Sequence, residues 1–228
     1  MKKHIAFTLA ETLLVIGIIG VVSALTLPNL NSSTGNKEKV AQVKKIYQNL
    51  NDAYGRAIAK YGPVGTWFIN DANDTAKAKR VGERITEFMK LSKDCAMNAS
   101  QGCIQDTSDD SKTSAYKVIT ADGTSIMFGI SDGEPDIYVD IDGPTKGTYT
   151  NGKDRFIFDI NASKGLITNG YNETFANLLA NVKDTGARDM ASTWIIKYDN
   201  MDYLNLNSSA QCKNNTSLTP TEANPRCK

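Results

Sequence analysis

The sequence predicts an α+β protein: a long N-terminal α-helix packed on a small antiparallel β-sheet, with additional short helices and disulfide-bridged loops. Three observations predict it. Residues 7–27 are apolar almost without interruption, and over about residues 36–61 apolar positions recur at three- and four-residue steps. Between Tyr116 and Ile160 the pattern changes to short β-prone runs broken by Asp-Gly and Asn-Gly. Four cysteines fall into two close pairs, Cys95 with Cys103 and Cys212 with Cys227.

The first element is the apolar run. From Phe7 to Leu27 a helix is about 31 Å long at about 1.5 Å per residue, which matches a hydrocarbon core of about 30 Å. Residues 7–30 therefore read as a membrane-spanning helix. Glu11 lies inside it, and no Lys, Arg or His occurs between Phe7 and Leu27. A lone carboxylate in hydrocarbon costs on the order of 3 kcal/mol, so Glu11 needs a partner from elsewhere. Lys2 and Lys3 form a short basic start that favours a cytoplasmic N-terminus. A Sec signal with Val22-Ser23-Ala24 as its cleavage motif accounts for these features, as does an uncleaved anchor, but both leave Glu11 unpaired.

Lys2-Lys3, a small residue at Ala6 and then Phe7-Thr8-Leu9-Ala10-Glu11 resemble the leader and N-methylation motif of type IV pilins and type II secretion pseudopilins. Family members more often have Gly where Ala6 stands. The resemblance implies a pilin-like fold and a leader, residues 1–6, removed by prepilin peptidase between Ala6 and Phe7, with methylation of Phe7. Residues 7–30 would form the transmembrane and later filament-core helix, and residues 31–228 a periplasmic or extracellular head that includes the amphipathic half of the helix. It also implies a single-pass protein of the bacterial inner membrane that passes into a pilus or pseudopilus. Its partners would be copies of itself or other pilin-like subunits, the peptidase and an inner-membrane assembly platform. In this family the acid at the place of Glu11 pairs with the N-terminal amine of a neighbouring subunit. Two charges that are each costly in lipid are stabilised when they meet in low dielectric, so the implied role is physically coherent.

Further along, Pro28 is expected to kink or interrupt the helix, with Asn31 to Asn36 a loosened stretch or new cap. Val40, Val43, Ile46, Tyr47, Leu50, Tyr54, Ala57, Ile58 and Tyr61 then trace one buried stripe, ended by Gly62-Pro63. Thr75 to Leu91 reads as a second helix, and Ser92 to Ser114 as a polar loop. Strands are expected over 116–120, 124–130, 135–141 and 155–160, the first two joined by a hairpin turn at Asp122-Gly123. Glu173 to Lys183 reads as a helix capped by Asn172, Met190 to Tyr198 as helix or strand, and the tail as loose but for its cysteines.

Composition narrows the function classes. Formal net charge is +1, so no electrostatic footprint for nucleic acid exists. His4 is the only histidine, and it lies in the leader. A processed chain would thus lack Ser-His and Cys-His catalysis and His-ligated zinc, and a non-enzymatic role is expected. In an exported chain the cysteines are expected as disulfides. Proximity ranks the two local pairs first among three connectivities.

One loop concentrates oxygen donors. Asp140, Asp142, Asn151 and Asp154 lie between two expected strands, and carboxylates two apart followed by Gly suit calcium, which takes six to eight oxygens. No glutamate closes the loop as an EF-hand requires. A looser likeness is to the Asp-rich loop of some pilin-like proteins, and Asp-Gly and Asn-Gly are equally good turn formers without metal. A different class of function stays open: an exported or anchored domain that binds a glycan through this loop. A paired-carboxylate enzyme would need a separation across a cleft that spacing alone does not establish.

Overall fold

A computed structural model describes residues 9–98, 102–104, 113–144 and 150–227. The chain divides into two compact units, Met1–Glu38 and Lys39–Lys228. Helix α1 (Leu9–Tyr61) supplies the described part of the first unit and enters the second. The expected break at Pro28 is absent: helix continues through Pro28 and through Asn31 to Asn36. A proline removes one ladder hydrogen bond, and the turns on either side keep theirs. Leu13, Leu14, Val15, Ile16, Ile18, Ile19 and Val21 are 53–65% exposed. Among the described residues no helix is long and apolar enough to cross a membrane; the span expected over residues 7–30 rests in part on side chains outside them. Ala6 and Phe7 lie outside the described residues, as does the side chain of Glu11, whose backbone belongs to α1.

In the second unit, α1 buries Val40, Val43, Ile46, Leu50 and Ala57 of the stripe that its periodicity predicts, with Ala53 beside them, while Tyr47, Tyr54, Ile58 and Tyr61 are partly buried against the same core. The ring of Tyr47 stacks on Phe158 of the sheet with centroids 5.5 Å apart. The helix stops where Gly62 takes a φ of +79°, and its N–H bonds to the carbonyl of Ile58 at 2.9 Å. Helix α2 (Asp74–Thr86) starts at Asn73, whose side chain accepts from the N–H of Ala76. It ends five residues earlier than its pattern suggests, because the chain must turn into a strand.

Among the described residues six strands form one antiparallel meander in chain order: β1 (Leu91–Ala96), β2 (Tyr116–Thr120), β3 (Ser125–Ser131), β4 (Glu134–Asp140), β5 (Arg155–Asn161) and β6 (Gly165–Thr168). Strand β1 corrects the expected loop over 92–114. Its register slips twice against β2 and its middle faces solvent, so no alternation marks it. Asp132 and Gly133, with φ of 51° and 82°, make the tight turn between β3 and β4. One sheet face, with Val118, Ile126, Phe128, Ile137, Val139, Phe156 and Phe158, joins α1 and α2 in the main core. The other carries a small cluster of Met127, Tyr138 and Ile157 with Ile104 and Ala115.

Helix α3 (Phe175–Lys183) is capped by Thr174, not Asn172: the Thr174 hydroxyl accepts from the N–H of Asn177 at 3.3 Å. Met190 to Tyr198 resolves as helix α4 (Ala191–Tyr198), with Trp194 fully buried. Cys95 is bonded to Cys103 and Cys212 to Cys227. The second bridge is part of the core and ties the polar tail to it.

Candidate functional site

Strand β4 delivers Asp140 to the start of the oxygen-rich loop, 3% exposed. Its Oδ1 accepts the N–H groups of Asp142 at 3.3 Å and Gly143 at 3.2 Å, an aspartate turn that reverses the chain. Gly143 is required there: its φ is +82°, and a Cβ would lie 2.6 Å from the carbonyl oxygen of Gly123. At the returning end the Asp154 carboxylate accepts the N–H of Thr150, and the N–H of Ile141 reaches the Asp154 carbonyl at 2.9 Å. Burial first, then the hydrogen bond and charge of Asp142, push the Asp140 carboxyl up to about 7.

The loop brings three of the four sequence-predicted donors, Asp140, Asp142 and Asp154, into one electrostatic neighbourhood. The fourth turns elsewhere: Asn151 donates through Nδ2 to Oδ1 of Asp189 at 2.8 Å. A donor that spacing did not reveal is Ser125, paired in register with Asp140 across β3 and β4. Its hydroxyl is fully buried and has no hydrogen-bond partner among the described residues. Among the described residues no three His, Cys, Asp or Glu side chains converge tightly enough to hold a metal ion. The arrangement is a turn built on carboxylates, with an oxygen-only donor set suited to a hard cation rather than to zinc or a redox metal.

A second polar site lies at the opposite end of the same strands. Register pairs Asp136 of β4 with Asp159 of β5 on the sheet face away from α1. Tyr138 donates its hydroxyl to Asp136 at 3.2 Å, and Asn169 faces Asp159 at 3.5 Å. Burial pushes the Asp159 carboxyl up to about 6, against the opposing pull of Asn169. A cleft of about 320 Å³ opens here, lined by Asp132, Glu134, Asp136 and Asp159 with Asn161 and Asn169, and among the described residues no Lys or Arg lines it. Asp136 and Asp159 are far apart in sequence, and only strand register joins them. The available signal is an acid set between apolar residues in each run, Pro135-Asp136-Ile137 and Phe158-Asp159-Ile160.

A groove of about 420 Å³ runs beside α1 at the other end of the sheet, lined by Lys45, Asp52, Arg56, Phe88, Lys90 and Asp122 among others. Lys45 pairs with Asp122 at 2.7 Å, and Arg56 with Asp52 at 3.1 Å. Burial works against ionisation of Asp122, yet the hydrogen bonds from Lys45 and Thr120 prevail and hold it down to about 2. These pairs are exposed and exchangeable. Compared with family models, curated proteins and solved structures, the chain matches none.

Proposed function

We propose that this chain is a structural subunit of a membrane-anchored filament, a type IV pilin or a type II secretion pseudopilin. Its work is assembly rather than catalysis. The observation that carries the reading is the run Phe7-Thr8-Leu9-Ala10-Glu11 leading into a helix whose large apolar side chains, from Leu13 to Val21, stay 53–65% exposed. A continuous apolar helix surface needs lipid or other apolar helices to cover it. In this reading prepilin peptidase frees Phe7 in the inner membrane, and Glu11 registers the subunit against its neighbour. The α+β head, with α1 packed on an antiparallel meander and two disulfides, suits an exported pilin-like subunit. The test is the intact mass of the chain recovered from its native membrane: a chain starting at methylated Phe7 is the expected result. A start near Leu25 would instead identify a Sec substrate, the route to an exported glycan-binding domain.

Calcium at the loop belongs to the same proposal, as a structural ion. Asp140, Asp142 and Asp154, which do not converge on one point as they stand, would have to close up with the Ser125 hydroxyl to supply oxygens, and the ion would offset the repulsion between Asp140 and its neighbouring carboxylates. Asn151 is held by Asp189 through Nδ2, and its Oδ1 is the atom it would offer. Millimolar calcium is expected to raise the melting temperature of the full chain in detergent by several degrees, and Asp142→Asn to remove most of that rise. An identical melting temperature in calcium and in EDTA would leave a metal-free turn.

A further inference from the structure

The filament reading says that copies meet, but not which surfaces of the head do so. Charge is segregated along the chain. Residues 39–61 hold five basic residues and one acidic, although the whole chain is almost neutral. The acidic excess collects at the turn between β3 and β4, where Asp132 and Glu134 stand, and in the cleft behind it, which Asp136 and Asp159 also line. Asp132 and Glu134 are exposed on the turn itself, and neither enters an ion pair among the described residues. The groove beside α1 offers the complement. Lys90 is exposed and likewise without an ion pair among the described residues, with Lys45 and Arg56 nearby and Phe88 contributing an apolar wall.

These two features sit at opposite ends of one strand. The groove is bounded by Thr120, Ala121 and Asp122, which lead into β3, and the acidic turn follows its last residue, Ser131. Seven residues of strand separate them by roughly 20 Å. One copy cannot bring its own turn into its own groove, but a second copy displaced along the strand direction can. Such a contact joins unlike surfaces and repeats without closing, as a filament requires.

We propose that the Asp132-Gly133-Glu134 turn of one copy docks in the groove lined by Lys45, Arg56 and Lys90 of the next. This contact rests on the filament reading and adds the head surfaces to it. Charge complementarity fixes polarity and register, and the exchangeable pairs Lys45–Asp122 and Arg56–Asp52 free their cations for the incoming carboxylates.

The experiment uses filaments of the full processed chain. A carbodiimide, which joins amines to carboxylates in contact, should link Lys90 of one copy to Asp132 or Glu134 of another. Lys90→Glu and Glu134→Lys should each lower assembled protein about tenfold, and chains carrying both changes should recover to within about twofold of the unaltered chain. Unchanged melting temperatures of the monomers would show that folding is intact, both positions being exposed. If the unaltered chain assembles while reversals have no effect and no such link forms, the contact is wrong and the filament reading stands. If the unaltered chain never assembles, both fall.

Discussion

Gly82→Ala is expected to destabilise the head by about 2 kcal/mol or more, although alanine is the better helix former. In an exposed helix the same change would stabilise by about 1 kcal/mol, so the sign of the result is diagnostic. Gly82 lies in the middle of α2, where a Cβ would stand 2.2 Å from Cδ1, 2.5 Å from Cγ and 2.8 Å from Cβ of Tyr116. No rotamer of the tyrosine relieves contact with its own Cβ. The ring is also held at its far end, where the hydroxyl donates to Asp94 at 2.6 Å, and the residue is 2% exposed. Accommodation therefore requires α2 to lift from β2 and β3, spoiling the packing of Val81 and Ile85, both fully buried. Overpacking of this kind costs about 1–3 kcal/mol and sometimes more, which exceeds the gain in helix propensity. Urea denaturation should show a lower midpoint with an unchanged slope. In the double variant Gly82→Ala with Tyr116→Ala the two costs should fall well short of adding, since the clash and the lost ring concern the same space. A Gly82→Ala chain as stable as the original would overturn this packing.

That glycine also shows what sequence reading can and cannot reach. An isolated glycine in a helical pattern reads as a weak point, and nothing local says that a tyrosine thirty-four residues later needs its space. The apolar stripe of α1, the strand β2 and the turn at Asp122-Gly123 were legible because periodicity and turn chemistry are local. Strand β1 was not, since an edge strand with two register slips and an exposed middle loses the alternation that marks a strand. Helix α4 was ambiguous for the opposite reason. Ala191 to Ile195 are all buried, and a short run buried on every side has no period to read. The same divide runs through the site. Asp140, Asp142, Asn151 and Asp154 are close in sequence and could be listed from spacing; Ser125 and the Asp136–Asp159 pair depend on strand register and could not.

On the proposed filament function, Glu11→Ala is expected to abolish filament incorporation while the subunit still accumulates in the inner membrane. Alanine is more easily held in lipid than a carboxylate, so membrane insertion should improve if it changes at all. The loss would arise at the next step. The Phe7 amine that the proposed cleavage exposes would be a cation at the edge of an apolar helix, and between Phe7 and Leu27 the only ionisable side chain is Glu11. Without that acid, an incoming subunit must bring its amine into a low-dielectric bundle with no counter-charge, a penalty of several kcal/mol for each subunit added. Glu11→Gln separates charge from size: it keeps the shape and hydrogen-bonding capacity but cannot neutralise the amine, so it should fail as Ala does. Glu11→Asp keeps the charge on a shorter arm and should retain part of the assembly. Cell fractionation, with sheared filaments weighed against membrane-retained subunit by immunoblot, reads all three. Processing should be unaffected, with methylated Phe7 at the start of each variant, which distinguishes an assembly defect from failed cleavage. Normal incorporation of the Gln variant would remove the charge-pairing mechanism, whatever the mass of the mature chain.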